Sequence, residues 1–188
     1  MTKVSTDGER RVSKVLVAGP VGVGKSTAVR SASDVPVLST EARPSDETRL
    51  RKEATTVAMD FGVIELGEDH AVHLYGTPGQ RRFDFMWDIL AEGSAGVIVL
   101  VDAGAMPIDD DLDAYLDTFA RMSSERRLVL GVTRAKPMAD SALGPFRDYL
   151  DRKALRVPVM EADPRSRSDV MVLIRAVLAM AEGASGDE

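Results

Sequence analysis

Gly19-Pro20-Val21-Gly22-Val23-Gly24-Lys25-Ser26-Thr27 is the stretch on which the reading of this chain turns. It matches G-x-x-x-x-G-K-[ST], and its flanks match as well. The short apolar, β-rich run Lys14–Ala18 precedes it, and Lys25 to about Ala32 is compatible with a helix. Gly22 and Gly24 open backbone conformations closed to other residues, so successive N–H groups can converge on phosphate oxygens. A helix starting there adds the positive end of its dipole. Lys25 supplies a point charge for the β- and γ-phosphates, and Ser26 a hydroxyl ligand for magnesium. Gly19, Pro20, Val21, Gly22, Val23, Gly24, Lys25, Ser26 and Thr27 are thus the expected phosphate-binding set. The expected ligand is a nucleoside triphosphate or its product.

Working outward, Ser33–Thr55 is long, polar and without apolar period, the character of a functional loop. Val57–Leu66 alternates, and a Gly67-Glu68-Asp69 turn leads into Ala71–Tyr75, which predicts a hairpin. Arg82–Glu92 has helical spacing, with Met86, Trp87 and Ile89 either in the core or on a partner-facing patch. Ala95–Val101 is continuously apolar, the pattern of a strand buried on both faces of a parallel sheet. Asp110–Met122 reads as an amphipathic helix, Arg127–Val132 as a strand and Ser141–Leu150 as a helix. Val157–Met160 reads as a short strand and Asp169–Met180 as a last helix, capped by Ser168. Strands alternate with helices, so the class is α/β with a mainly parallel sheet. One domain over 13–182 is expected, between frayed ends at 1–12 and 183–188.

The composition narrows the function classes. The chain has 188 residues, 44% of them hydrophobic and 29% charged, in the range of a globular domain. Its net charge of −6 argues against nucleic acid, whose phosphates need a basic footprint. It has no cysteine and two histidines, His70 and His73, which excludes thiol zinc and iron–sulfur sites. Apolar runs such as Val97–Val101 are far short of the roughly 20 residues of a membrane helix, and residues 1–14 lack a signal-peptide core. No membrane insertion and a cytoplasmic location are expected.

Two further motifs carry a resemblance. Thr55-Thr56 ends the long polar loop just before a strand, and Leu74-Tyr75-Gly76-Thr77-Pro78-Gly79-Gln80 closes the next strand but one. With the phosphate loop, this order resembles a small GTPase of the Ras type. The segment Thr56-Val57-Ala58-Met59-Asp60-Phe61, followed by HLYGTPGQ, is most similar to the bacterial MglA-like, roadblock-associated members, over about Ser13 to Met180. The resemblance implies a Ras-like fold: a six-stranded, mostly parallel sheet with one antiparallel hairpin strand and about five helices. It implies GTP or GDP with magnesium as ligands, with ATP as the alternative. Gly79 would donate its N–H to the γ-phosphate and Gln80 would orient the attacking water. Thr56 would give its hydroxyl to magnesium and its N–H to the γ-phosphate, with Thr55 the competing assignment. The partner implied is a small roadblock-fold homodimer, as regulator or effector.

The chain departs from that pattern in three places. Gly76 stands where most small GTPases have an aspartate that reaches magnesium through water. Asp60 is the expected replacement, and Asp102, at the end of the run Val97–Val101, competes for it. The base-reading motif [NT]-K-x-D is matched by Thr133-Arg134-Ala135-Lys136, in which Arg134 can lay its stem along a base but Lys136 accepts no hydrogen bond. The last base-side loop falls at Glu161-Ala162-Asp163, where the backbone of Ala162 and Asp163 would touch the base. Finally, no arginine precedes Thr56 directly; Arg43, Arg49 and Arg51 lie further upstream. The expected function is a GTP-binding switch with slow hydrolysis that waits for a partner. Its rivals are an ATP-using switch or enzyme and a non-hydrolysing, nucleotide-bound scaffold.

Overall fold

A computed structural model describes residues 10–39, 59–79, 85–104, 109–122, 127–134 and 142–184. Its elements follow in chain order: β1 (Arg11–Ala18), α1 (Lys25–Ala32), β2 (Leu38–Ser39), β3 (Asp60–Glu65), β4 (His70–Gly76), α2 (Phe85–Ala91). Then come β5 (Gly96–Asp102), α3 (Asp109–Met122), β6 (Leu128–Thr133), α4 (Gly144–Arg152), β7 (Val159–Glu161) and α5 (Arg167–Ala184). They form one seven-stranded sheet in the order β2-β3-β4-β1-β5-β6-β7. β1 runs parallel to both β4 and β5, and β6 runs parallel to β5 and β7. Among the described residues only the β2–β3 and β3–β4 pairs are antiparallel.

The strands segregate their side chains as the two-residue period demands. Val15 and Val17 of β1 join Ile98 and Leu100 of β5 on one face, packed against α1 and α5 through Val29, Leu173, Ile174 and Val177. Leu16 and Ala18 join Val97, Val99 and Val101 on the other, under Trp87, Leu112, Leu116, Phe119 and Phe146 of α2, α3 and α4. Each fully buried Val, Leu, Ile or Phe contributes roughly 1.5–3 kcal/mol relative to exposure, so the uninterrupted apolar strand β5 is the most strongly specified element. Order reverses at β1, whose neighbours β4 and β5 lead away in opposite directions. In open α/β sheets the ligand crevice lies at such a switch point, beyond the strands' C-terminal ends, which is where residues 19–27 lie.

The α/β class, the hairpin and the five helices agree with expectation; the strand count does not. The seventh strand, β2, pairs Leu38 with Phe61 and Ser39 with Asp60 inside the segment read as a loop. Its two residues are exposed, so no apolar pattern announced it. β1 starts at Arg11 rather than Lys14, paired with His70 of β4. α4 starts at Gly144 rather than Ser141, with Pro145 in the first turn, where a missing N–H costs nothing. β7 begins after Pro158, which has no N–H for the ladder and takes part only through its carbonyl, an acceptor for Leu130 N–H. The cap of α5 is Ser166, not Ser168: the helix starts at Arg167, and Ser166 Oγ accepts the Asp169 N–H at 3.4 Å.

Candidate nucleotide-binding site

Three of the loops at the C-terminal edge of the parallel strands converge. The first, between β1 and α1, carries Gly19, Gly22 and Gly24 at φ +135°, +80° and +111°. Gly24 is the residue before α1, and its left-handed backbone is what lets the turn end directly in a helix. The Lys25 ammonium group turns back over this loop and donates to the carbonyls of Gly19 and Pro20, both at 2.8 Å. Burial lowers the Lys25 pKa from 10.5 to about 8, against the opposing pull of the Asp60 carboxylate. A cation whose own solvation is incomplete, inside a ring of main chain, is prepared for a polyanion. Ser26 and Thr27 begin α1, and Thr27 faces the cavity described below.

The second loop leaves β4. Gly79 approaches so closely that a Cβ on it would fall 2.5 Å from Lys25 Nζ and 2.9 Å from the Val21 nitrogen. Residues 77–79 are held there from behind. The Thr77 N–H donates to Val17 O at 2.9 Å, the buried Trp87 Nε1–H to Pro78 O at 3.1 Å, and the Tyr115 hydroxyl to Gly79 O at 3.4 Å. Trp87 itself stacks on Tyr115 and Phe119, so of the two readings for Trp87 the core holds, whereas Ile89 is 66% exposed. These anchors went unread in the sequence because only the fold brings α2 and α3 beneath the loop. The Thr77 hydroxyl is buried with no hydrogen-bond partner among the described residues.

Asp60 stands directly opposite Gly76 in the β3–β4 register. A Cβ placed on Gly76 would lie 3.3 Å from the Asp60 Cβ and 3.4 Å from its Oδ2. The carboxylate therefore fills the space that a side chain at 76 would need. It is buried, and its charge acts on the Lys25 ammonium group. Asp102 differs: its carboxylate is paired with the Arg134 guanidinium and accepts the Gly104 N–H at 2.8 Å. The second Arg134 nitrogen donates to Gly22 O at 2.7 Å, so Arg134, at φ +55°, straps β6 to the phosphate loop. Of the two acids weighed for an ion, Asp102 has a guanidinium on its carboxylate, whereas Asp60 faces Gly76 and acts on Lys25.

The third loop, between β7 and α5, closes a cavity of about 650 Å³ together with Gly22, Gly24, Thr27, Thr133 and Arg134. Its expected main-chain contacts to a base are otherwise engaged. Ala162 N–H bonds Val132 O at 3.0 Å, and Asp163 N–H bonds Asp169 Oδ2 at 3.0 Å. The Thr133 hydroxyl is likewise committed to Val101 O at 3.1 Å. Asp163 is instead paired through its side chain with Arg165, which lowers the Asp163 pKa to about 2. Gln80, Thr55, Thr56, Lys136, Arg43, Arg49 and Arg51 lie outside the described residues. Among the described residues no three His, Cys, Asp or Glu side chains form a metal-holding group.

Comparison with known proteins fits this geometry. Residues 37–123 match a family described as a conserved hypothetical ATP binding protein, a span that starts beyond the phosphate loop and covers less than half of the chain. Over 175 residues the chain is 23% identical to the Ras-related protein RABD2b of Arabidopsis thaliana, covering 88% of this chain and 78% of that one. The fold is Ras-like. The Ras-related protein RabC of Dictyostelium discoideum is 31% identical over 99 residues, 50% of this chain and 44% of its own. An uncharacterized protein of Methanocaldococcus jannaschii is 29% identical over 107 residues, 56% of this chain; the match spans 62% of that protein's length. Phosphate loop, fold and relatives agree on a Ras-like, nucleotide-binding phosphate-loop domain. No helix among the described residues is long and apolar enough to cross a membrane.

Proposed function

We propose that this protein is a GTP-binding switch of the MglA-like kind, hydrolysing GTP slowly and signalling to a roadblock-fold partner. The observation that carries the reading is the meeting of Lys25 with Gly79 over the phosphate loop. Two loops that begin at the ends of neighbouring strands meet there, where a γ-phosphate would be held. A ligand with that phosphate contacts both; a diphosphate contacts the first alone. That difference is what biases a two-state element. In hydrolysis, water attacks the γ-phosphorus, the bond to the bridging oxygen breaks, and the diphosphate leaves with the charge. Lys25 and the loop N–H groups hold that charge, the Gly79 N–H fixes the γ-phosphate, and Gln80 orients the water.

Magnesium fits the residues present. The buried Asp60 carboxylate has oxygen donors to give, and the Ser26 hydroxyl and, in the switch loop, Thr56 complete the set proposed. A single carboxylate suits an ion that keeps waters and phosphate oxygens as its other ligands. When bound, it would neutralise charge on the β- and γ-phosphates. The rival reading, ATP, draws on the family description, but residues 37–123 include neither Thr133–Arg134 nor the loop at 161–165. The similarity therefore says nothing of the base. Lys25→Ala tests the proposal: labelled GTP should lose more than about 100-fold in affinity, the scale of deleting a buried charge-assisted contact, with the fold retained. Unchanged affinity would refute it.

A further inference from the structure

A base attached to phosphates held at Gly19–Thr27 would enter the cavity behind the loop, and the donor inventory of its far wall is short. Ala162 and Asp163 have committed their N–H groups to Val132 and Asp169. Pro164 has none. The Arg165 N–H bonds Asp163 Oδ1 at 2.9 Å. Residues 162–165 thus present a base with no free main-chain donor; what they present is the Asp163 and Arg165 side chains, both lining the cavity. The sequence meanwhile places Lys136, which accepts nothing, where a base-reading carboxylate would stand.

We propose that Asp163 is the specificity-determining residue of this site, its carboxylate accepting the N1–H and 2-amino hydrogens of guanine. The carboxylate has moved from the loop after β6 to the loop after β7. This deepens the proposed nucleotide site and rests on it. The selectivity follows from hydrogen-bond inventory. Guanine offers two adjacent donors, a match for a carboxylate, whereas adenine offers one donor beside the lone pair of N1, which a carboxylate repels.

Arg165 makes the carboxylate dependable. Its Nε–H and terminal N–H reach both oxygens, at 2.9, 3.2 and 2.7 Å, and keep Asp163 ionised. The Arg165 side chain is 82% exposed, so the pair costs little to open when a base arrives. The guanidinium then lies beside the carboxylate, where guanine carries its O6 acceptor. The loop does not move with it. Pro164 O accepts the Ser31 hydroxyl at 2.7 Å, Asp163 O accepts the Ser166 N–H at 2.9 Å, and the Pro164 ring packs against Gly24.

The test is equilibrium titration of the full chain with the magnesium salts of GTP, ATP and XTP. The parent should bind GTP about tenfold or more tighter than ATP. Asp163→Asn should lose about tenfold or more for GTP, since a hydrogen bond to a charged group contributes about that factor, and leave ATP unchanged. It should also gain XTP, whose C2 carbonyl accepts from the asparagine amide, a gain no unfolded variant shows. Asp140→Asn, four residues past Lys136, should leave GTP binding at the parent value. The proposal is overturned if Asp163→Asn binds GTP as the parent does, if Asp140→Asn carries the loss, or if the parent binds ATP as tightly as GTP. A parent that binds none of the three would overturn the nucleotide site itself, so the two failures are told apart.

Discussion

The two ends of the site are made of different material. At the phosphate end the contacts are main chain: glycine turns, the carbonyls of Gly19 and Pro20 around Lys25, and Gly79 in contact with the ammonium group. At the proposed base end the main chain is already committed to β6, to the start of α5 and to the Asp163 carboxylate, and the groups proposed to meet a base are side chains, Asp163 and Arg165. Main-chain machinery demands particular backbone angles and clearances, so it leaves a fixed residue pattern. Side-chain machinery demands a charge at a place, and more than one loop can supply it. The first end therefore leaves a legible pattern in the sequence, whereas the second leaves none.

The largest effect that sharpens this contrast comes from Gly79→Ala. The added methyl would sit within 2.5 Å of Lys25 Nζ and 2.9 Å of the Val21 nitrogen. The loop cannot simply retreat, being tied to Trp87 and Tyr115. Triphosphate affinity should fall about 100-fold, the scale of losing an aligned charge-assisted donor, and diphosphate affinity by less than about threefold. Paired calorimetric titrations with GTP and GDP check it. Equal losses would mean that Gly79 serves the loop's packing and not the γ-phosphate.

That main-chain and side-chain contrast also explains what was legible. The phosphate loop, α1 and β5 followed from glycine spacing and an unbroken apolar run. The sequence names Asp60 as the stand-in for an acid at Gly76; the register adds that the two residues lie opposite each other. β2 was hidden because two exposed residues carry no periodic signal. The committed N–H groups of Ala162 and Asp163 were hidden too, since their acceptors lie elsewhere in the chain. So was the Arg134 strap, whose partners Asp102 and Gly22 are 32 and 112 residues away. Local signals name what a segment is; they do not say which of its atoms are already taken.

A second comparison sets the two candidate acids against each other. Asp60→Ala should weaken magnesium-dependent GTP binding by about 10–100-fold, the usual scale for a metal-site acid. It also takes the opposing charge away from the desolvated Lys25 ammonium group, so the melting temperature combines that loss with the relief of a buried carboxylate, and binding is the readout. Asp102→Ala frees Arg134 from its exposed pair and so loosens the strap to Gly22. A loss of only a few fold is expected, equal with and without magnesium. Magnesium titrations that rank the two variants the other way would move the ion to Asp102.

The smallest expected effect is a pH dependence that belongs to the phosphate end alone. Burial depresses the Lys25 pKa from 10.5 to about 8. Between those values the unfolded chain binds more protons than the folded one, so stability should rise with pH from about 8 toward 10.5; below about 8 the folded protein carries the full cost of the buried ammonium. A triphosphate works in the opposite sense. Its charge raises the Lys25 pKa, so above about pH 8 binding must take up a proton, and affinity should fall by up to about tenfold per pH unit. Below that pH the Lys25 contribution is flat, because the group is protonated with or without ligand. GTP titrations from pH 7.5 to 9.0 would show the fall. Lys25→Arg keeps its charge throughout and shares every other titrating group, so its slope is the reference. A parent slope no steeper than that of Lys25→Arg would mean that the ammonium is not desolvated before a nucleotide binds, and that the carbonyls of Gly19 and Pro20 hold it as well as water does.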